Sequence, residues 1–280
     1  MLLISIFLIS CEKDIDIELK ESEPRLVVDG SIENDMRPTV ALTKSLDYFG
    51  TITPELLLSS FVRKAEVSIS EANVSYPLRE DSIPLSGGTF YYFYTTDNLR
   101  GKLNTSYTLN IKAEGRTYTA TTTIPQITRK IDSLWSEKAP AQDTVLYRMM
   151  IKATDRPGFG DYIRYFTKTN SDPFFPGFNS VFDDQVIDGK TYTIQVDRGL
   201  NKNIDNDELD IYFQPGDTAT LKLCNIDRVT FDFWRTFEFS FQSIGNPFSS
   251  PTKILSNISN GGLGYFGGYA SQYRTVIMPK

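Results

Sequence analysis

The chain has 280 residues, 29 Lys and Arg against 35 Asp and Glu for a formal charge of −6, no histidine, and two cysteines, Cys11 and Cys224. The missing imidazole excludes Ser–His–Asp and Cys–His nucleophiles, a histidine general base and His-ligated zinc or haem. Two distant cysteines make neither a zinc knuckle nor a disulfide framework, and an acidic chain without a basic block is not read as a nucleic-acid binder. The 19 Phe, 15 Tyr and 2 Trp suit pleated, half-buried surfaces.

Residues 2–9 form an apolar run broken only by Ser5. It is shorter than the roughly 20 residues of a bilayer span and suits the core of a secretion signal. It ends in Leu8-Ile9-Ser10-Cys11, which resembles the bacterial lipobox: apolar and small residues ahead of a cysteine that is acylated. One departure is that no Lys or Arg precedes the run. Residues 1–10 are predicted to be a lipoprotein signal peptide and Cys11 the palmitate- and diacylglycerol-bearing anchor in the outer membrane. More than one acyl chain is the regime of stable anchoring. Residues 11–24 carry six acids and two lysines, which predicts a solvated, extended tether. Acids beside a lipidated cysteine resemble the signal that exports Bacteroidota lipoproteins to the outer face of the outer membrane; a plain linker with a periplasm-facing anchor is the alternative.

Residues 26–32 read as a strand, Asn34-Asp35 and Pro38 as a turn, and 39–43 as a second strand. Residues 56–61 are apolar with no clear period. Ala65, Val67 and Ile69 alternate with polar neighbours, and Gly87-Gly88 lead into an aromatic strand over 89–94. Tyr107-Leu109-Ile111 and Tyr118-Ala120-Thr122 flank Glu114-Gly115 as the clearest hairpin. Short strands at this spacing predict a β-sandwich over 25–125. Its patterns resemble the transthyretin- and immunoglobulin-like modules of secreted bacterial proteins.

A second β-rich domain with one helix is predicted over 126–280, so the fold class is mainly β. Residues 131–135 open this domain, and strands are expected over 146–153 and 162–169, near 210–213 and over 218–223, with a turn at Asp155-Arg156-Pro157-Gly158. Residues 172–178 and 201–207 are too punctuated for regular structure. The helix starts at Asp227 as N-cap, with Val229, Phe233, Trp234, Phe237 and Phe241 at helical spacing. Phe231-Phe233 and Phe237-Phe239-Phe241 also alternate as a strand would. The start signal and the stop at Gly245-Asn246-Pro247 favour helix.

Phe174, Phe175, Phe178 and Phe182 make an aromatic segment among prolines. Exposed, they would be a contact surface; folded back, they would plug the core. Asp183, Asp184 and Asp188, with Asp205, Asp207 and Asp210, offer oxygen ligands of the kind Ca²⁺ takes. Asn201 to Asp205 begins like an EF-hand loop without its glycine or closing glutamate, so solvated loop acids are the reading and no metal site is predicted. The glycines of Gly261-Gly262-Leu263-Gly264 lack the Lys-Ser/Thr of a phosphate loop and suit a close backbone approach. Cys224 lies in an alternating run and reads as a buried, inert thiol. Asp-Ser/Thr-apolar triplets at Ser82, Ser133, Thr144 and Thr218 resemble a Bacteroidota O-glycosylation acceptor.

Val27-Val28-Asp29-Gly30, Lys64-Ala65-Glu66-Val67, Ile131-Asp132-Ser133-Leu134, Asp155-Arg156-Pro157-Gly158 and the closing Gly261-Gly262-Leu263-Gly264-Tyr265-Phe266, together with the lipobox, resemble a Bacteroidota outer-membrane lipoprotein family built on a domain of unknown function. The resemblance covers 11–280. Such proteins are commonly encoded beside SusC-like TonB-dependent receptors. The resemblance implies a surface-exposed accessory or ligand-presenting subunit of such a barrel, with no catalytic residue and no cofactor. The alternative is a stand-alone peptide- or glycan-binding lipoprotein, and behind it a carboxylate- or metal-dependent hydrolase.

Overall fold

The computed structural model describes residues 23–46, 53–85, 88–140, 145–201, 208–246, 248, 250 and 252–280. Leu8, Ile9, Ser10, Cys11 and the tether up to Ser22 lie outside them.

The chain is mainly β, in one large mixed sheet and one small sheet. Alternation decides most strands. β1 (Leu26–Glu33), β3 (Glu66–Glu71), β6 (Thr105–Ala113) and β7 (Arg116–Ile124) each turn one face inward, while β2 (Thr39–Lys44) buries Val40, Ala41 and Leu42 in succession. The β6–β7 hairpin turns at Glu114 and Gly115, both at positive φ, the geometry that matches the twist of paired strands. Between β3 and β6 lie β4 (Val74–Pro84) and β5 (Phe90–Thr95). The apolar segment after Thr53 forms a short helix, α1 (Pro54–Ser59), with Thr53 as its N-cap.

Beyond residue 125 come β8 (Lys130–Lys138), β9 (Tyr147–Thr154), β10 (Tyr162–Thr169), β11 (Phe175–Asp183), β12 (Thr191–Val196), β13 (Thr218–Ile226), α2 (Arg228–Gln242) and β14 (Leu263–Ile277). The large sheet runs β11-β10-β13-β14-β1-β2-β5-β4-β3-β6-β7, and the small one β12-β9-β8. The large sheet therefore crosses residue 125. Its joint is the parallel pairing of β1 with β14, from Val27↔Leu263 to Glu33↔Tyr269. The sheet curls so that β7 faces β14: a Cβ on Gly268 would lie 2.6 Å from the Thr123 carbonyl oxygen. The core inside this curl joins Ile32, Leu42, Ile69, Leu109 and Ile124 to Phe266 and Ala270 of β14. Residues 265–271 of β14 are buried without interruption, because β7 covers one face and α2 the other.

A second core lies between the small sheet and the β10–β13 end of the large one, around Met149, Ile151, Ile163, Leu221 and Phe213. The third holds α2 down, with Phe231 and Phe233 packed against Cys224, Ile226, Tyr265 and Tyr269. Asp227 caps α2 through the Thr230 N–H at 2.9 Å. Its other oxygen accepts the Thr122 hydroxyl and the Thr123 N–H, each at 2.8 Å, so the helix start is tied to β7.

Three expectations are corrected. Residues 175–178, read as irregular, belong to β11; the strand tolerates Pro176 and Gly177 because it is an edge strand with a bulge. Residues 208–211 form a 3-10 turn (Glu208–Ile211), and only Phe213 makes a bridge, to Tyr147. The strands β4, β12 and β14 had no sequence counterpart. Residues 202–207 lie outside the described residues.

Candidate functional site

β11 and β12 are the end strands of their two sheets, and a cleft opens between them. β11 pairs with β10 from Tyr162↔Asp183 to Arg164↔Val181 and resumes at Phe166↔Pro176, so residues 177–180 bulge opposite Tyr165. The bulge needs glycine at 177, where a Cβ would collide with the Tyr165 hydroxyl. Phe178 and Phe182 stand 48% and 43% exposed, and Phe182 stacks on Tyr165 with ring centroids 6.2 Å apart. Together with Tyr192 and Ile194 they line a cavity of about 370 Å³ whose polar groups include Asn179, Gln195 and Asp197. An adjoining hollow of about 450 Å³ shares Phe182, Tyr192 and Ile194 and extends to Phe231 and Arg235. The four phenylalanines thus divide. Phe174 turns its ring edge to Tyr273 at 5.8 Å, Phe174 and Phe175 are half-buried, and Phe178 and Phe182 face the cleft.

A second concavity, about 340 Å³, lies beneath α2 against β1, β10, β13 and β14, with Asp29, Glu33, Arg164, Lys222 and Glu238 among its walls. Arg164 is 3% exposed, with its guanidinium carbon 3.4 Å from the Trp234 ring centroid, a stacking that stabilises a desolvated guanidinium. It donates to Ser180 Oγ at 3.1 Å and to the Tyr269 hydroxyl at 3.3 Å. Ser180 in turn donates its N–H to Glu238 at 3.0 Å and its hydroxyl to the same carboxylate. Lys222 pairs with Glu33. Asp29 is open to water at the pocket floor yet closely walled by protein. This desolvation raises its carboxyl above the usual value, while a hydrogen bond from Tyr265 and the charge of Arg164 pull the other way. A raised carboxyl contributes stability that is complete below its unfolded pKa and is lost as pH rises through the folded one. Asp29→Asn is therefore expected to leave the melting temperature close to unchanged at pH 4 and to raise it at pH 8. Thermal melts across this range check it, and a lowered midpoint at pH 8 contradicts it.

The third feature is a carboxylate junction where three strands end. Asp155 follows β9, Asp161 precedes β10 and Asp184 follows β11, and one oxygen of each lies within 4.8 Å of the others. Asp155 and Asp184 are each 2% exposed. The reading of these acids as solvated fails for Asp184 because the N–H groups of Gly160 and Asp161 donate to it at 2.8 and 3.0 Å and fold the 155–161 loop over it. Asp188 accepts the Gly158 N–H at 2.6 Å. Arg129, with no exposed side-chain surface, donates to Asp155 Oδ1 at 3.0 Å. Burial raises the Asp161 carboxyl; Thr128 and Arg156 offset this in part, and the charges of Asp155 and Asp184 add to it.

Residues 12–275 match the model of a family described as a domain of unknown function, DUF4249. The chain belongs to the DUF4249 family. No curated protein matches it.

Among the described residues of this DUF4249 chain no helix is long and apolar enough to cross a membrane. Cys224 is buried within 3.1 Å of the Ser271 hydroxyl. Burial pushes its thiol up to about 11, against the pull of Lys222 and Ser271. Because the thiolate is the reactive form, Cys224 is expected to resist a disulfide reagent such as DTNB at pH 8 in the native protein and to react fully once unfolded in guanidinium. Rapid labelling of native protein contradicts this. Among the acceptor-like hydroxyls, Ser133 and Thr218 are exposed and Ser82 is half-buried, whereas Thr144 lies outside the described residues. Sequence reasoning missed Arg129, Arg164, Asp155, Asp161 and Glu238. Arg129, Asp155 and Asp161 sit at strand ends, Arg164 lies within β10 and Glu238 on a face of α2, and each meets neighbours from other elements of the chain.

Proposed function

We propose that this DUF4249 protein is a non-enzymatic lipoprotein, held in the outer membrane through Cys11 and facing the cell exterior, that acts as an accessory or ligand-presenting subunit of a SusC-like TonB-dependent transporter. The anchor rests on the resemblance of Leu8-Ile9-Ser10-Cys11 to a lipobox. A tether of residues 11–24 would reach about 45 Å when extended, enough to place the folded part over a neighbouring barrel.

The observation that carries the binding role is the cleft between β11 and β12. Exposed aromatic rings around a cavity of about 370 Å³ with a few polar groups match the usual make-up of a ligand or contact site. The same cleft favours peptide over glycan in the stand-alone reading, since two end strands flank it and an extended peptide can add to a sheet edge. Affinity purification of the native protein from outer membranes tests the proposal. Recovery together with a TonB-dependent barrel is the expected result. Recovery of the lipoprotein alone overturns it, and recovery with a bound peptide but no barrel supports the stand-alone reading.

A further inference from the structure

The junction of Asp155, Asp161 and Asp184 has the chemistry of a cation site. Three carboxylates drawn together in the interior repel one another, and each loses hydration. Their arrangement leaves oxygen valences open. Asp155 gives Oδ1 to Arg129, which leaves Oδ2 as the oxygen it has to offer, and that atom is buried with no hydrogen-bond partner; Asp161 Oδ2 is also buried and unpartnered. Unsatisfied buried oxygens are rare in folded proteins and call for a water, an ion or a strained arrangement. Here two of them belong to carboxylates that share one small volume.

The ligand set favours calcium. Oxygens on a calcium coordination sphere lie about 2.3–2.6 Å from the ion, so they are separated by at most about 5 Å, whereas magnesium holds its ligands within about 4.2 Å of one another. The three oxygens here lie within 4.8 Å of one another, inside the calcium limit, and three protein carboxylates suit calcium because magnesium is usually held by one or two and keeps several of its waters. The surroundings are already organised: the Gly160 and Asp161 N–H groups hold Asp184, Arg129 holds Asp155, and Asp188 pins the intervening loop at Gly158. Arg129 and Arg156, the latter 3.7 Å from Asp161 Oδ1, add positive charge that weakens cation binding. This places the affinity in the millimolar to submillimolar regime of extracellular calcium modules.

We propose that Asp155, Asp161 and Asp184 bind one calcium ion that clamps the 155–161 loop to the end of β11. The clamp lies next to Asp183, Val186 and Ile187, which line the hollow adjoining the aromatic cleft. Calcium would thus fix one rim of that hollow. This inference does not depend on a barrel partner.

Thermal melts of the mature chain in EDTA and in 5 mM CaCl₂ test it. Wild-type protein is expected to gain about 3–6 °C in calcium, the shift for an affinity near 0.5 mM in a chain of this size, and isothermal titration with CaCl₂ is expected to show one site. Asp161→Asn, at the least buried of the three positions, is expected to fold and to lose the shift. Asp184→Asn should lose it too, and if that protein does not fold, Asp161→Asn still decides. An unchanged wild-type midpoint in calcium overturns the proposal, as does an equal shift from MgCl₂ or an undiminished shift in Asp161→Asn.

Discussion

Replacing Arg129 with methionine is expected to cost about 3–5 kcal/mol of folding stability, the usual result of stripping one partner from a buried ion pair. Arg129 and Asp155 show no exposed side-chain surface, so neither solvent nor salt substitutes for the lost guanidinium. Methionine keeps the unbranched stem and its packing, which confines the change to the charge. Adding Asp155→Asn to the first change removes the stranded charge and should recover most of the loss. Urea unfolding in EDTA of the single and double variants measures each part. A single-variant loss below about 1 kcal/mol, the range of an exposed pair, contradicts this account of the junction.

Gly264→Ala is expected to be comparably severe, for a steric reason. Gly264 has φ +84°, and a Cβ there would overlap the backbone carbonyl oxygen of Val28, its register partner in the parallel β1–β14 pairing. The positive φ alone costs an alanine about 1–2 kcal/mol. The collision adds to this because backbone cannot rotate aside, and relief means separating the pairing that joins residues before and after 125. A total above about 4 kcal/mol follows, a large part of the 5–15 kcal/mol that usually holds a domain together. Gly115, at φ +75° in the β6–β7 turn with open space around its Cα, is the control. Gly115→Ala should cost only the conformational share. Denaturation midpoints of the two variants separate the effects, and similar losses in both would show that the β1–β14 approach is not tight.

Local signals account for what could be read directly. The β6–β7 hairpin alternates cleanly, since one face meets the core and the other water, and the Glu114-Gly115 turn marks its end. The helix boundary at Asp227 was legible for the same kind of reason: a capping side chain must precede the first turn. β4 was not, because it changes partner along its length. Residues 74–78 pair with β3 and 79–84 with β5, which leaves most of it open on one side and lets it carry Pro77 and Pro84. β14 was hidden by the opposite cause. Buried on both faces over residues 265–271, it does not alternate there, and its glycines, read as places of close backbone approach and found so where Gly264 meets Val28, carry no strand signal. The division of the four phenylalanines depends on the bulge opposite Tyr165. The carboxylate junction unites residues from three strand ends in two sheets. Neither has a signature within any short window of sequence.

The proposed function has this DUF4249 protein meet its partner in the cleft between β11 and β12. Phe178 and Phe182 are exposed enough that Phe178→Ser with Phe182→Ser should hold the melting temperature within about 3 °C of wild type, as surface changes do. Tagged wild-type and double-variant proteins, purified in parallel from outer membranes, give the direct comparison. The account predicts a TonB-dependent barrel recovered with wild type and reduced at least about tenfold with the variant, the loss expected when two central aromatic contacts are removed. Equal recovery of the barrel with both proteins would contradict it.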